Sequence, residues 1–193
     1  MNYLIIDSHP YEGSFSRGVS ENIQAILAEK GNVEAIDLVA DRVDPVMRGD
    51  DLRRWGKGQS ADPMVEVYQQ KIEWSDIVVF VFPVWWGSMP AILKGFCDKV
   101  FLPGWAYADG GFAGLLTGKL KPRRAIVIST MRTPDWVFSL YFHNPVKHAF
   151  IRDALDSCGI KVMKYMQLGG IYSRSKNRAE AKMNKILRYF RKL

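Results

Sequence analysis

Cysteine is scarce: Cys97 and Cys158 are the two that 193 residues contain. So few thiols exclude a disulfide framework, and their separation matches no metal-site spacing. Long apolar runs are missing as well, since no stretch approaches the ~20 residues that a membrane-spanning helix requires. Met1-Asn2-Tyr3 leads straight into an apolar strand, without the basic region and small-residue cleavage site of a secretory signal. The expectation is a cytoplasmic protein with two unpaired thiols. The first strand–helix turn has neither the glycines of a dinucleotide fingerprint nor a Walker loop, which disfavours a Rossmann dehydrogenase. Internal repeats and low-complexity tracts are also absent.

What remains is a chain with 48% hydrophobic residues, enough for a sizeable core in one domain spanning 1–193. Its formal charge of +7 raises the question of a nucleic-acid partner. Much of that charge is terminal: Arg174, Lys176, Arg178, Lys182, Lys185, Arg188, Arg191 and Lys192 face the single acid Glu180. Ala179, Met183, Ile186, Leu187 and Phe190 recur there at helical spacing. That pattern reads as a terminal helix packed by an apolar stripe, its basic face in solvent. Contact with a membrane surface or nucleic acid is the competing reading, and no nucleic-acid motif supports it.

Five short β-rich runs, at 3–7, 33–37, 77–82, 124–129 and 161–168, alternate with helical patterns at 16–30, 63–73, 90–101, 145–158 and 176–192. Such alternation predicts an α/β fold, a doubly wound five-stranded parallel sheet in order 2-1-3-4-5 with helices on both faces. Two long connections, 38–62 and 103–123, carry Trp55, Trp105, Tyr107 and the pair Gly110-Gly111. Loops of that length are usually functional or covered by a partner.

The densest signal is the run from Ile77 to Phe96. A β-rich apolar strand ends at Pro83, Trp85-Trp86-Gly87 follow, and Pro90 opens an amphipathic segment. Ligands of open α/β sheets sit outside the carboxyl ends of the strands. Two indoles there offer flat apolar surface to a flat aromatic ligand such as a flavin, and Gly87 permits close backbone approach. Amides of this loop are placed to donate to the pyrimidine edge of such a ring. After the first strand, residues 8–17 form a Ser- and Gly-rich loop at a helix start, where free amides and the helix dipole favour a phosphate. His9, Ser14, Ser16 and Arg17 are candidate donors there; the competing reading is that Ser14 or Ser16 merely caps the helix. Ser129-Thr130-Met131-Arg132 follow the fourth strand and face the same crevice, with Arg132 a candidate for a cofactor or nicotinamide phosphate. Tyr141, His143 and His148 form a polar-aromatic cluster with titratable imidazoles, chemical or structural.

With these residues laid out, the chain resembles the flavodoxin-like NAD(P)H:quinone oxidoreductases, a group that includes quinone reductases, modulator-of-drug-activity proteins and the small flavoproteins of potassium-efflux systems. The likeness is most specific from Phe82 to Phe101, close to the pattern F-P-L-x-W-x-x-x-P-A-I-L-K-G-W-x-D-R-V-F. Asp37-Leu38 with Asp44-Pro45, Gly104-Trp105-Ala106-Tyr107 and Cys158-Gly159 extend it over most of the chain. The resemblance implies that His9, Ser14, Phe15 and Ser16 meet flavin phosphate and ribityl; Arg17 beside them stays a candidate by its place at the helix start. It implies that Pro83, Val84, Trp85, Trp86 and Gly87 flank the isoalloxazine, and that Ser129, Thr130 and Met131 close the site. It also implies hydride transfer from NAD(P)H through flavin N5 to a quinone or similar acceptor, ping-pong kinetics, a homodimer, and FAD as cofactor with FMN close behind. Arg178 and Lys182 are the candidates for an adenosine diphosphate.

Two departures stand out. Mammalian relatives carry an aromatic residue where Gly87 stands, and a glycine pair followed by Tyr and His where this chain reads Met131-Arg132-Thr133-Pro134. Tyr141 and His143 are the nearest stand-ins as catalytic residues. A flavodoxin-type electron carrier and a non-enzymatic nucleotide-binding regulatory subunit of a membrane transporter remain the alternatives.

Overall fold

The computed structural model describes residues 1–110, 113, 115–120, 123–171 and 176–193. Gly111 of the second long connection and Arg174 of the basic terminus lie outside the described residues. The order is β1 (Asn2–Asp7), α1 (Phe15–Ala28), β2 (Asn32–Asp37), α2 (Gly49–Trp55), α3 (Met64–Trp74), β3 (Ile77–Pro83) and α4 (Ala91–Val100). A two-residue hairpin follows, β4 (Tyr107–Ala108) and β5 (Thr117–Gly118), then β6 (Arg124–Thr130) and α5 (Asp135–Leu140). A π-helical segment (Val146–Leu155), a 3₁₀ turn (Asp156–Cys158), β7 (Lys161–Leu168) and α6 (Lys176–Lys192) complete the chain.

The main sheet is parallel, in order β2-β1-β3-β6-β7. Leaving out the small hairpin, this is the predicted 2-1-3-4-5 order. Strand β3 lies near the middle and is buried at every residue, which is why its sequence is apolar without alternation. The two-residue period sorts its neighbours onto two cores. Leu4, Ile6, Val78, Phe80 and Phe82 pack with Tyr68, Leu93 and Phe96 of α3 and α4. Tyr3, Ile5, Ile77, Val79 and Val81 pack with Val19, Ile23 and Leu27 of α1 and with Ile186 and Phe190 of α6. The predicted apolar stripe of the terminal helix is therefore seated on α1 and the sheet.

Phe150, fully buried on the π-helical segment, meets Phe80 and Phe82 edge-on at 5.1 and 5.3 Å between ring centroids. Emptying a site of that kind typically costs about 3–5 kcal/mol. The segment therefore locks the region after α5 onto the sheet. Among the described residues, no helix is long and apolar enough to cross a membrane.

Candidate functional site

The chain runs outward from β1 to β2 and then returns to the other side of β1 as β3. Ligand crevices of open α/β sheets form at such a reversal, outside the strands' carboxyl ends. A cavity of about 680 Å³ lies there. His9 after β1, Phe15 and Ser16 at the start of α1, Pro83 at the end of β3 and Val84, Trp85, Trp86 and Gly87 after it line the cavity. Thr130 at the end of β6 and Met131, Arg132 and Thr133 after it line it as well, and Phe138, Phe142, Pro145 and Ile171 supply a further wall.

The tryptophan loop is a tight turn. Trp85 N–H donates to Ser88 O at 3.0 Å and Ser88 N–H returns to Trp85 O at 3.1 Å. Both central residues have positive φ, 50° at Trp86 and 79° at Gly87, the sign pattern of a type I′ turn. Glycine suits that conformation, whereas a bulky residue there is an outlier whose strain is of order 1–3 kcal/mol. The Trp86 side chain is fully exposed and gains no packing in exchange. The turn's own bonds use the amides of Trp85 and Ser88, so those of Trp86 and Gly87 stand outside its pairing. Trp85 is half-exposed, with the His9 ring edge-on to it at 6.0 Å. A strained backbone thus presents one indole wholly to the cavity mouth, which fits a flat aromatic ligand.

The loop after β1 supplies the polar end. Ser14 caps α1, its Oγ accepting from Arg17 N–H at 3.1 Å, so the capping reading holds for this residue. The amides of Phe15 and Ser16 sit in the first turn, where no intrahelical carbonyl reaches them. Both residues line the cavity, so the positive end of a 14-residue helix opens onto it. Ser16 Oγ and Thr130 Oγ1, both buried, are 2.6 Å apart and tie the loop after β1 to the end of β6.

Electrostatics next to this loop rest on Arg17. Its guanidinium pairs with Asp37 and stands 3.5 Å from Asp7, outside the cavity lining. Burial raises the Asp37 carboxyl, but the Arg17 bond and the amides of Ala40 and Val39 outweigh it and hold the group below the ordinary carboxylate range. Burial dominates at Asp7 and pushes that carboxyl up, despite the His9 amide and Arg17. His9 is lowered by burial, against the pull of Asp7. Tyr11 N–H donates to His9 Nδ1 at 3.1 Å, which places the proton of the neutral ring on Nε2. The result is a neutral imidazole at the cavity edge at neutral pH.

The remaining wall is held from behind. Ser129 is fully buried, its Oγ 2.9 Å from Tyr165 Oη, so it supports the site without lining it. Met131 N–H donates to Leu168 O at 2.9 Å, Gly170 N–H to Thr133 O at 3.0 Å, and Ile171 N–H to Met131 O at 3.0 Å. These bonds zip the loop after β6 to the loop after β7. Gly169 has no room for more than hydrogen: a Cβ there would sit 2.3 Å from Thr133 O and 2.6 Å from the Asp135 nitrogen. The Asp135 carboxylate accepts from Gly169 N–H at 2.5 Å and from Lys182 Nζ at 2.8 Å. Lys182 is therefore a brace between α6 and α5.

Tyr141 and His143 lie outside the cavity lining. Tyr141 is exposed beyond the end of α5, and His143 begins a left-handed pair with Asn144, φ 53° and 48°, that turns the chain into the π-helical segment. His148 is exposed on that segment. Phe138 and Phe142, one helical turn apart, take the positions along the wall. These two, with Pro145 and Ile171, are apolar and carry no polar-chemistry signal in the sequence. The carboxyl-end rule applied to β7 would have found Ile171, which follows Gly169-Gly170. Among the described residues, no three His, Cys, Asp or Glu side chains are grouped to hold a metal.

Comparison with known proteins accords with this geometry. A family profile described as flavodoxin-like fold matches residues 1–193. An uncharacterized NAD(P)H oxidoreductase of Haemophilus influenzae is 29% identical over 176 residues, covering 89% of this chain and 85% of that one. The human ribosyldihydronicotinamide dehydrogenase [quinone] is 32% identical over 187 residues, covering 83% and 78%. Smu.1420 from Streptococcus mutans superposes with a TM-score of 0.85 at 30% identity, over 100% of both chains.

Proposed function

Since the chain belongs to the family with the flavodoxin-like fold, we propose that the cavity holds a flavin and that the protein is an NAD(P)H oxidoreductase acting on a quinone or similar acceptor. The observation that carries this reading is the strained, fully exposed Trp86 at the cavity mouth, set beside the open first turn of α1. A bound flavin supplies the redox chemistry, taking a hydride from the nicotinamide and passing it to the acceptor.

The chain's own residues bind and orient. The amides of Phe15 and Ser16 meet the phosphate. The Trp86 and Gly87 amides donate to the ring's pyrimidine edge, and Trp85 with Trp86 flanks its face. His9 offers Nε2–H as a neutral donor, and Thr130 with Met131 closes the site behind the ring. Phe138, Phe142 and Pro145 make the wall apolar, which excludes water and favours flat, weakly polar acceptors. One cavity serves donor and acceptor in turn, hence ping-pong kinetics. FAD and FMN share the phosphate and ring that these residues address; with Lys182 occupied by Asp135, mass spectrometry of the extracted cofactor decides between them.

The homodimer belongs to this reading as well. A second groove of about 470 Å³ runs between the long connections, lined by Met47, Leu52, Trp55, Phe101, Tyr107 and Leu116. Leu52, Trp55 and Leu116 are exposed in a single copy, and a second copy would cover them.

Initial rates measured while NADPH (or NADH) and a water-soluble quinone are both varied test the function. Parallel double-reciprocal lines, which protein stripped of its flavin gives only after flavin is restored, support it. Intersecting lines refute the shared cavity, and oxidation of nicotinamide that ignores flavin refutes the function.

A further inference from the structure

The apolar rim of the cavity extends outward where nothing in the chain packs. Trp136 and Leu140 lie four residues apart on α5 and so share one face, 68% and 72% exposed, while Phe138 points inward at 2%. Tyr141, also exposed, follows Leu140 at the helix end, its ring edge-on at 5.0 Å to Phe142 of the cavity wall. Isolated exposed apolar residues need no explanation; a contiguous aromatic and aliphatic face does. It also borders positive charge. A groove of about 470 Å³ joins Asp135 and Ser139 of α5 to Lys164 of β7 and Lys185 of α6. Both lysines are exposed, and the one acid lining the groove, Asp135, is paired with Lys182.

We propose that this face, Trp136 and Leu140 of α5 with Lys164 and Lys185 beside it, docks on an anionic lipid surface and brings the cavity mouth to it. The physical pattern is that of an interfacial anchor: large side chains that enter the headgroup boundary, next to lysines that meet lipid phosphates. Tryptophan suits such a boundary because its ring is apolar and its N–H wants a polar partner.

Two other occupants fit less well. A symmetric dimer would bring the lysines of two copies into one interface, where among the groove's lining residues the one acid, Asp135, is already paired. A protein knob needs a concave seat, whereas Trp136 and Leu140 project from a convex helix. Docking also has a consequence for the acceptor: a lipid-dissolved molecule would enter the cavity without crossing water.

The test uses the full chain and vesicles, and vesicle binding can be measured with or without flavin, so its failure and the failure of the flavin reading are separable. Vesicles of phosphatidylcholine containing phosphatidylglycerol should sediment the protein, with a blue shift of tryptophan emission, whereas phosphatidylcholine alone should not. The double variant Trp136→Ser with Leu140→Ser should bind about tenfold more weakly or worse. Lys164→Gln with Lys185→Gln should lose the preference for the anionic lipid, and high salt should do the same. Turnover of a water-soluble acceptor should stay unchanged in both variants, which shows that they fold. No binding to anionic vesicles, or binding indifferent to both variants, overturns the proposal. So does a wild-type dimer that the Trp136→Ser, Leu140→Ser pair dissociates, since the face would then belong to a second copy. Binding of this face to an acidic polypeptide but not to vesicles overturns it too.

Discussion

Replacing Trp86 with glycine should make the cofactor-free protein no less stable while crippling the site. Trp86 sits at φ 50° with its side chain wholly in solvent, so truncation removes no buried surface. A left-handed conformation costs an L-residue about 1–2 kcal/mol, which glycine does not incur. Glycine loses about 0.5–1 kcal/mol more chain entropy on folding. The balance is a gain of about 0–1.5 kcal/mol, worth up to ~6 °C in melting temperature for a chain of this length. Binding moves the other way. If about 100 Å² of indole is covered by the ligand, its loss removes about 2.5 kcal/mol at ~25 cal/mol/Å². The flavin dissociation constant should then rise by ~10- to ~100-fold. Thermal unfolding of the cofactor-free protein and quenching of flavin fluorescence measure the two effects separately. Trp86→Phe keeps a ring and the strain, and should bind within a few-fold of wild type with no gain in stability. A glycine variant that melts clearly below wild type, or binds flavin equally well, refutes the idea that the turn stores strain for the ligand.

Three further outcomes follow from the same structure. Thr130→Val removes a partner from buried Ser16 Oγ and should lower stability by about 1–3 kcal/mol in urea unfolding, with weaker flavin binding because the two loops part. Arg17→Gln should cost about 1.5–3 kcal/mol at neutral pH. Asp37 is held below its ordinary value, so its contribution is complete above ~pH 4 and disappears as pH falls through the depressed value; the deficit of the variant should close in acid, as unfolding at a series of pH values will show. Gly169→Ala forces a Cβ against the backbone of Thr133 and Asp135 and should cost about 1–3 kcal/mol, with faster hydrogen exchange in residues 131–142.

The sheet was legible because its signal is physical and local. A fully buried central strand has to read as the apolar run Ile77–Pro83, and the turn after it is marked by Gly87 at one of its two positive-φ positions. Two helices were not legible. Helix α2 (Gly49–Trp55) carries Asp50 and Asp51 in its first turn and Arg53 and Arg54 in its last, favourable for the helix dipole, yet the Gly-Asp-Asp cluster reads equally as a turn. Helix α5 follows Thr133-Pro134, a loop signature that also permits a helix start, and its six residues are too few to show a period. The helical pattern after Pro145 is visible in the sequence, but its π register is not, since 10 residues make too few turns to separate the wider π period from the α period.

In the site, the loops after β1, β3 and β6 were found through the crevice rule. Arg17 had looked like a phosphate ligand because nothing in the sequence shows that Asp7 and Asp37, at the ends of adjacent strands, reach it first. Tyr141 and His143 carry the right chemistry in the sequence, but their positions lie outside the cavity lining. Which face of α5 turns inward depended on packing, and the structure gives that face to Phe138.

A visible absorption spectrum shows whether the cavity holds a flavin that NAD(P)H reduces. The protein, incubated with flavin and freed of excess, should keep a bound-flavin spectrum that bleaches promptly when NADPH or NADH is added without oxygen. Retained flavin that neither nucleotide bleaches would contradict the oxidoreductase, and no retained flavin would contradict the site itself.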